Sequence, residues 1–192
     1  MVAGAFGPQL AQAVDATILT HQAFVAGSGR EAEAAAVLIR DAAVAGRLIL
    51  VFGNGGSATD AQHFAAELVV RFVRARRAVA ALALTSDGAV MTAAANDLGV
   101  EAMFARQIEA LGRPGDVAVA ISTSGRSPNV LEALKVAKAR GLSTIALTGR
   151  DGGEAGRLAD VHVNVPSDVT ARIQEVHGTW IHAVCAWVEE DL

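Results

Sequence analysis

The sequence has few of the features that mark several common classes of protein. It carries one cysteine, Cys185, which excludes an intrachain disulfide framework and fits the reducing cytoplasm, where we expect the protein to reside. No apolar run approaches the roughly 18 residues of a membrane span, and no charged stretch followed by a long apolar block marks a signal peptide. Sixteen Lys and Arg against twenty Asp and Glu give a net charge of −4, so no nucleic-acid partner is expected.

Apolar residues, by contrast, are abundant. They make up 52% of the 192 residues, and the mean hydropathy of +0.37 is high for a soluble monomer. A chain of this length is expected to form one domain, 1–192, with a sizeable core. The apolar excess predicts helices that are buried against other subunits, so we expect a homo-oligomer.

The chain is organised around residues 48–70. Residues 48–52 are a continuous apolar run, which is typical of a strand covered on both faces in a parallel sheet. Three glycines within four positions, Gly53, Gly55 and Gly56, let the backbone approach a ligand closely, and Ser57 adds a hydroxyl where a helix begins. Backbone N–H groups at a helix start favour an anion such as phosphate, although the same pattern also occurs in plain tight turns.

A second turn of the same kind follows another apolar run, residues 117–121. It places four hydroxyls in six residues: Ser122, Thr123, Ser124 and Ser127. Neutral hydroxyls and backbone amides suit a phosphomonoester. The alternative is a loop in which Ser127 caps the next helix before Pro128, and the two interpretations are compatible.

The order of segments predicts the fold class. Two Ala-rich helices, separated at residues 27–29, occupy residues 1–45, and an α/β core occupies residues 46–192. Within the core, helices alternate with short apolar strands at 48–52, 78–84, 117–121, 143–147 and 161–165. Crossover helices between strands indicate a three-layer α/β/α sandwich with a five-stranded parallel sheet. Ligands in such sheets bind beyond the carboxyl ends of the strands, where both polar turns lie.

Two common nucleotide sites are disfavoured. A dinucleotide site needs G-x-G-x-x-G and an acidic residue after the second strand. Here Ala58 stands at the third glycine position and Leu84 ends the second strand without an acid. The glycine turn also lacks the lysine of a P-loop.

Helical spacing brings together two pairs of polar residues. His63 and Glu67 are four residues apart on one face of a helix, and for such a pair a surface hydrogen bond is the more frequent outcome. The helix around them is apolar, however, so an acid/base or metal pair is the alternative interpretation. Gln174 and His182 are eight apart on the last helix, roughly 80° around it and about 12 Å along it. Both can bind one metal ion only if their side chains extend towards each other along the helix axis. Otherwise they contribute to sites from different subunits. His177, between them, is interpreted as structural.

These motifs together resemble those of the phosphoheptose isomerases, single-domain members of the sugar isomerase (SIS) superfamily. The resemblance rests on G-N-G-G-S, D-A-Q-H-F-A-A-E-L, A-N-D, I-S-T-S-G-x-S, L-T-G-x-D-G-G and R-I-Q-E-x-H, and it covers the chain from roughly Leu48 onward. It implies the SIS fold and conversion of sedoheptulose 7-phosphate to D-glycero-D-manno-heptose 7-phosphate, the first step towards nucleotide-activated heptose. It also implies a homotetramer with active sites at subunit junctions, and zinc.

The resemblance assigns roles residue by residue. It assigns the metal site to His63, Glu67, Gln174 and His182, with Glu67 and His182 as the catalytic pair. An aldose–ketose isomerase needs a carboxylate base and a second acid/base for an enediol, which is consistent with that pair. Around the sugar phosphate it places Asn54, Gly55, Gly56, Asn96, Asp97, Ser122, Thr123, Ser124 and Ser127, to which Glu67, Gln174 and, on physical grounds, Ser57 are added.

Three positions depart from the family pattern, and other functions remain open. Arg126 stands where a small polar residue is more usual, Ala171 where an acid is usual, and Phe52 is bulky before the glycine turn. One alternative is a non-catalytic SIS tetramer that binds a replication-initiator protein; such proteins are expected to lack the late histidine, and His182 favours the enzyme. An isomerase for another ketose phosphate is a second alternative. A SIS transcription regulator is a third, but residues 1–45 leave little room for its helix-turn-helix domain.

Overall fold

A computed structural model describes residues 6–192 of the chain; residues 1–5, where the predicted N-terminal segment begins, lie outside the described residues. Within that range the chain forms seven α-helices and five β-strands. In chain order they are α1 Phe6–Val44, β1 Ile49–Gly53, α2 Gly56–Val69, β2 Ala81–Ala83, α3 Gly88–Leu98, α4 Ala102–Leu111, β3 Val117–Ser122, α5 Pro128–Ala139, β4 Ser143–Gly149, α6 Gly153–Leu158, β5 Val161–Val165 and α7 Thr170–Val188. A short 3₁₀ turn, Glu189–Asp191, follows α7.

The five strands form one parallel sheet in the order β2-β1-β3-β4-β5. Ile49 to Gly53 of β1 pair in register with Val117 to Ile121 of β3, so these two strands end side by side. From β1 the chain moves outward to β2 and then crosses back past β1 to β3, so β2 and β3 flank β1 on opposite sides. A reversal of this kind opens a crevice at the carboxyl ends of the two central strands, which is where ligands bind in such sheets.

Alternate residues of the central strands supply two separate cores. Val51, Val119 and Ile145 pack with apolar residues of α1, α2 and α7 on one face. Leu50 and Ala118 belong to the other core, with residues of α4, α5 and α6. The predicted α/β/α sandwich is therefore confirmed. Phe52, one of the departures from the family pattern, is fully buried in the second core and packs against Phe104 with ring centroids 5.4 Å apart.

The prediction of two N-terminal helices was wrong. Residues 6–44 form a single helix of 39 residues that runs through the glycine pair at 27 and 29. Each glycine costs the helix only about 1 kcal/mol relative to alanine, and tertiary contacts between the two glycines and one turn after them offset that cost. Ser28 Oγ donates to the Asn164 carbonyl (2.7 Å), and Trp180 Nε1 donates to the Ala32 carbonyl (3.2 Å). A single helix also leaves no helix-turn-helix within residues 6–44.

Smaller differences concern the ends of elements. The second strand is three residues long rather than the predicted 78–84. Helix α3 includes Asn96 and Asp97 and ends at Leu98, before Gly99, whose φ is 94°. No helix in residues 6–192 is both long and apolar enough to cross a membrane.

Candidate active site

The two polar turns predicted from the sequence meet at the crevice between β1 and β3. Asn54 follows β1, and Asn129 lies in the first turn of α5, after the hydroxyl-rich loop. Their amides form a reciprocal pair, each Nδ2 donating to the other's Oδ1 at 2.9 Å. This pair ties the glycine turn to the hydroxyl loop. Asn129 was not among the predicted site residues, because its partner lies 75 residues away in the sequence.

The glycine turn needs its glycines for steric reasons. A Cβ at Gly53 would lie 2.6 Å from the Ile121 carbonyl oxygen and 2.8 Å from Ser57 Cβ. Gly55 has a φ of 57°, in the left-handed region that side chains disfavour. Helix α2 therefore begins immediately behind β1, with its N-terminal end at the crevice and Ser57 buried in its first turn.

In the hydroxyl loop, residues 122–127, the Ser127 hydroxyl does not cap the next helix. Ser127 occupies the N-cap position of α5, as predicted, but its hydroxyl makes no capping hydrogen bond. Instead Ser127 Oγ lies 3.4 Å from Ser122 Oγ, which also accepts from the Gly125 N–H at 3.2 Å. Thr123 and Ser124, between them, are half-buried. The four hydroxyls thus line the N-terminal end of α5, where an anion is favoured.

Arg126 connects this loop to the next one, and its Nη1 also donates to the Ser124 carbonyl at 3.1 Å. Its guanidinium binds the Asp151 carboxylate through two hydrogen bonds, one of them 2.8 Å long. The hydrogen bond from Arg126, together with its charge and despite some opposing desolvation, lowers the pKa of Asp151 to about 2. Both side chains are more than half exposed, so the pair contributes little to stability. The structure explains this departure as a salt bridge between the loops that follow β3 and β4.

Helices α2 and α7 lie side by side and run in the same direction. A Cβ at Gly56, in the first turn of α2, would overlap the Gln174 amide of α7. About two turns further along, Phe64 meets Trp180 edge-to-face with centroids 6.2 Å apart, and His63 meets His182. We call the surface between α2 and α7 the groove. Gln174 lies at its crevice end, and His182 lies about 12 Å further along the helix axis.

His63, Glu67 and His182 come together in this groove. His63 Nε2 lies 3.2 Å from Glu67 Oε1 and 3.3 Å from His182 Nε2. The two imidazoles pack edge-to-face with centroids 4.9 Å apart. The His63 side chain is 45% exposed and that of Glu67 24% exposed, so a ligand entering the groove can reach both.

The donor atoms of this group fit a metal ion. Within residues 6–192 no three His, Cys, Asp or Glu side chains are already arranged as a metal site. His63 Nε2, however, lies near both Glu67 Oε1 and His182 Nε2. Because this nitrogen carries either one proton or one lone pair, it can form a good hydrogen bond with only one of the two. A cation among the three atoms would satisfy all of them, and their 3.2 and 3.3 Å separations are close to those of neighbouring donors on tetrahedral zinc, about 3.4 Å.

Gln174, Asn96 and Asp97 lie apart from that group in a single chain. The Gln174 amide contacts Gly56, at the crevice end of the groove. Asn96 and Asp97 are exposed in the last turn of α3, where Asn96 Nδ2 donates to Asp97 Oδ1 at 2.6 Å. No side-chain hydrogen bond in the described part of the chain connects them to the other predicted site residues.

Two further titratable residues flank the site. His177 is 1% exposed, and its Nε2 contacts the Thr148 carbonyl at 3.1 Å. Burial lowers the pKa of His177 to about 4, which agrees with its predicted structural role. Asp60, which the sequence analysis missed, lies one helical turn before His63, and burial raises the pKa of its carboxyl. Its Oδ2 atom is buried and has no hydrogen-bond partner within residues 6–192.

Fold and site together define the class of this protein. A family model described as SIS domain matches residues 15–149, a region that contains strands β1 to β4 and both polar turns at the β1/β3 crevice. Sequence identity to known relatives identifies the family within this class.

A phosphoheptose isomerase from Paramagnetospirillum magneticum is 60% identical over 149 residues, 78% of each chain. One from Geotalea daltonii is 50% identical and covers 93% of this chain and 95% of the relative. The solved structure of the phosphoheptose isomerase of Neisseria gonorrhoeae superposes with a TM-score of 0.91 at 43% identity, over 97% of this chain and all of that one. The chain therefore belongs to the SIS-domain family and, within it, to the phosphoheptose isomerases.

Proposed function

We propose that this protein is an isomerase that converts sedoheptulose 7-phosphate to D-glycero-D-manno-heptose 7-phosphate, the first step of nucleotide-activated heptose synthesis. The observation that carries the proposal is the meeting of His63, Glu67 and His182 between α2 and α7, whose N-terminal ends meet at the glycine turn through Gln174 and Gly56. One end of the groove suits a phosphate and the other offers an acid/base pair. The isomerisation of a long sugar phosphate needs these two functions at a distance from each other.

The phosphate binds at the crevice in this proposal. The N-terminal ends of α2 and α5 supply positive backbone dipoles, and Ser57, Ser122, Thr123, Ser124 and Ser127 supply hydroxyl groups. Asn54 and Gln174 line the passage from the crevice into the groove. A seven-carbon chain anchored there extends along the groove, so its C1 and C2 atoms reach the level of Glu67 and His182.

Glu67 and His182 then divide the proton transfers. The Glu67 carboxylate removes a proton from C1 while His182 donates one to the C2 oxygen, and a C1=C2 enediol forms. Protonated Glu67 returns its proton to C2, and His182 takes the proton from the C1 hydroxyl as the C1 aldehyde forms. Both groups finish in their starting protonation states, so the cycle balances.

We further propose that zinc binds to His63, Glu67 and His182, with the Gln174 amide oxygen as a fourth donor after turning from Gly56 towards His63. Imidazole nitrogen and carboxylate oxygen are ordinary zinc ligands. When bound, the ion would polarise the substrate's carbonyl group. Because a carboxylate or imidazole nitrogen bound to zinc is a poor proton carrier, Glu67 and His182 would have to leave the ion before they carry out the transfers above. Metal analysis of the purified protein tests the assignment directly: about one zinc per chain is expected for the wild type, and less for His63→Ala and Gln174→Ala. Full occupancy in both variants would contradict this ligand set.

The assembly and location belong to the same proposal. We infer a homotetramer with residues 1–45 in subunit contacts, and Asn96 and Asp97 reaching the active site of a neighbouring subunit, since one chain leaves them exposed. We place the protein in the cytoplasm, where its single buried cysteine, Cys185, stays reduced.

The test is turnover of sedoheptulose 7-phosphate by the purified protein, with aldose formation followed by NMR. We expect Glu67→Gln and His182→Ala to lower kcat by about 10²- to 10⁴-fold, as for other general acid–base groups. Glu132→Gln, on the exposed face of α5, is the control and should keep wild-type activity. No turnover by the wild type with zinc present would overturn the proposal, and faster turnover of a six-carbon ketose phosphate would change the assigned substrate.

A further inference from the structure

The segment between α2 and β2 is held by a buried carboxylate from the far end of the chain. Glu189 follows α7, and its two oxygens accept three successive backbone N–H groups, from Phe72 (2.7 Å), Val73 (2.9 Å) and Arg74 (2.8 Å). Burial by itself would raise the pKa of Glu189, but these N–H groups and the charge of Arg76 outweigh it and hold the pKa below its usual range. The carboxylate is therefore ionised, and it fixes the backbone conformation of residues 72–74.

Arg76 links the same carboxylate to the helix that carries Glu67. Its Nε lies 3.4 Å from Glu189 Oε1, and the two side chains are 2% and 1% exposed. Its terminal nitrogens donate to the carbonyl oxygens of Glu67 (2.7 Å) and Leu68 (2.8 Å). The arginine thus caps the C-terminal end of α2 at the backbone of the proposed base.

Phe72 connects this arrangement to the other catalytic side chain. Its ring stacks on the His182 imidazole with centroids 5.4 Å apart and planes at 21°. The opposite contact of His182 is with His63, at 3.3 Å between the Nε2 atoms. His182 is exposed as a residue, so the Phe72 ring is the flat surface that limits its rotation on that side.

We propose that Glu189 and Arg76 are positioning residues for isomerisation: by fixing residues 72–74, they hold the Phe72 ring against His182 and so keep that imidazole in reach of His63 and Glu67. The role rests on the proposed function, because it is defined by the proton transfers of His182. It adds three residues that lie outside the phosphate turns and do not touch the substrate. A displacement of about 1 Å in a catalytic group can cost up to about a hundredfold in rate, so indirect positioning of this kind is measurable.

The first test separates positioning from substrate binding. Phe72→Leu removes the flat ring but keeps an apolar side chain, and we expect kcat to fall about tenfold or more with KM within twofold of wild type, since the phosphate turns are unchanged. Phe72→Tyr keeps the ring and should restore kcat. Val73→Ala, at an adjacent side chain that is 69% exposed, is the matched control and should behave as wild type. A rise in KM without a fall in kcat would overturn the proposal.

The second test asks whether Glu189 acts through Phe72. If it does, Glu189→Gln lowers kcat in the wild-type background but adds little loss to Phe72→Leu, because the contact it supports is already gone. A general structural role would give the same fractional loss in both backgrounds and would overturn the proposal. Thermal unfolding and circular dichroism identify any variant that fails to fold; in that case the Phe72 series alone decides.

A third measurement does not depend on turnover. The ring current of Phe72 acts on the His182 ring protons, so their NMR resonances should move in Phe72→Leu and in Glu189→Gln and stay in place in Val73→Ala. Unmoved resonances would refute the positioning role even in an active enzyme. If the wild type fails to isomerise sedoheptulose 7-phosphate while these resonances move as expected, the proposed function fails and the contact itself stands.

Discussion

At the scale of single residues, burial distinguishes His177 from the two histidines of the proposed site, His63 and His182. His63 and His182 sit in an open groove with each other and Glu67 as partners. His177, on the same helix as His182, is 1% exposed, and its Nδ1 has no hydrogen-bond partner within residues 6–192. Burial disfavours the charged imidazolium, so His177 stays neutral in the folded protein.

This neutral histidine predicts a loss of stability in acid. The pKa of His177 is about 4 when folded, against 6.5 as its ordinary value. Above pH 6.5 neither state is protonated; between pH 6.5 and 4 the unfolded chain binds a proton that the folded chain does not. The free energy of unfolding should therefore fall across that window, by about 3 kcal/mol in total from this group.

Chemical denaturation at a series of pH values measures the effect. His177→Gln removes the titrating group while keeping a polar side chain of similar length, so its unfolding free energy should depend less on pH between 6.5 and 4 than that of the wild type. Thr179→Ser, on the exposed face of the same helix, is the control. Equal pH slopes for wild type and His177→Gln would contradict the prediction.

At the scale of elements, glycine has opposite roles in α1 and in the turn after β1. A Cβ at Gly27 or Gly29 would meet no atom within 4 Å, and both lie inside a continuous helix. The double change Gly27→Ala/Gly29→Ala should therefore raise the free energy of unfolding, by about 1 kcal/mol per site. Denaturant midpoints measure this.

At Gly53 we expect a glycine-to-alanine substitution to have the opposite effect on stability. Its Cβ would lie 2.6 Å from a backbone oxygen of β3, so Gly53→Ala should destabilise the protein and displace the turn. A stabilised Gly53→Ala variant would contradict the predicted clash in the turn, and a destabilised α1 double variant would contradict the predicted gain in helix stability.

The elements also show what a sequence can and cannot predict. The five strands and both polar turns follow from local apolar runs and turn residues, and the sheet order places them together as expected. The single helix α1 does not follow, because contacts such as that of Trp180 with Ala32, 148 residues apart, decide whether its glycines are tolerated. Phe72 and Glu189 were missed for the same reason: their contacts join residues more than a hundred positions apart.

The same limit applied to the pair of residues on α7. From spacing alone, Gln174 and His182 could either bind the same metal ion or contribute to sites in different subunits. The structure brings His182 to His63 and leaves the Gln174 amide beside Gly56. Helical periodicity gives the angle between two side chains, but the neighbouring helix decides what each one touches.

At the scale of the whole molecule, α1 leaves an apolar stripe uncovered in a single chain. Phe6, Leu10, Val14 and Ile18 recur every four residues, and each is about half exposed or more. The stripe continues the face of α1 that contacts α7: His21, seven residues after Val14 and so on the same side of the helix, lies 2.8 Å from Thr179 Oγ1 of α7. Such a stripe is the expected surface for helix packing between subunits of the proposed tetramer.

Charge on this stripe should therefore dissociate the assembly and reduce activity together. We expect the wild type to have four times the 19.7 kDa mass of one chain in solution, and Leu10→Glu/Ile18→Glu to have a smaller mass, because burying two carboxylates in an apolar interface is costly. Gln12→Glu, exposed and off the stripe, should leave the tetramer intact. Light scattering after size-exclusion chromatography measures the masses.

The activity of the dissociated variant then tests the shared active site. If Asn96 and Asp97 act in a neighbouring subunit, the variant should lose kcat even though the contacts of His63 with Glu67 and His182 lie within one chain. Circular dichroism establishes that each subunit remains folded. A folded, dissociated variant with wild-type kcat would show that one chain holds a complete site, and Asn96 and Asp97 would then have no part in the reaction.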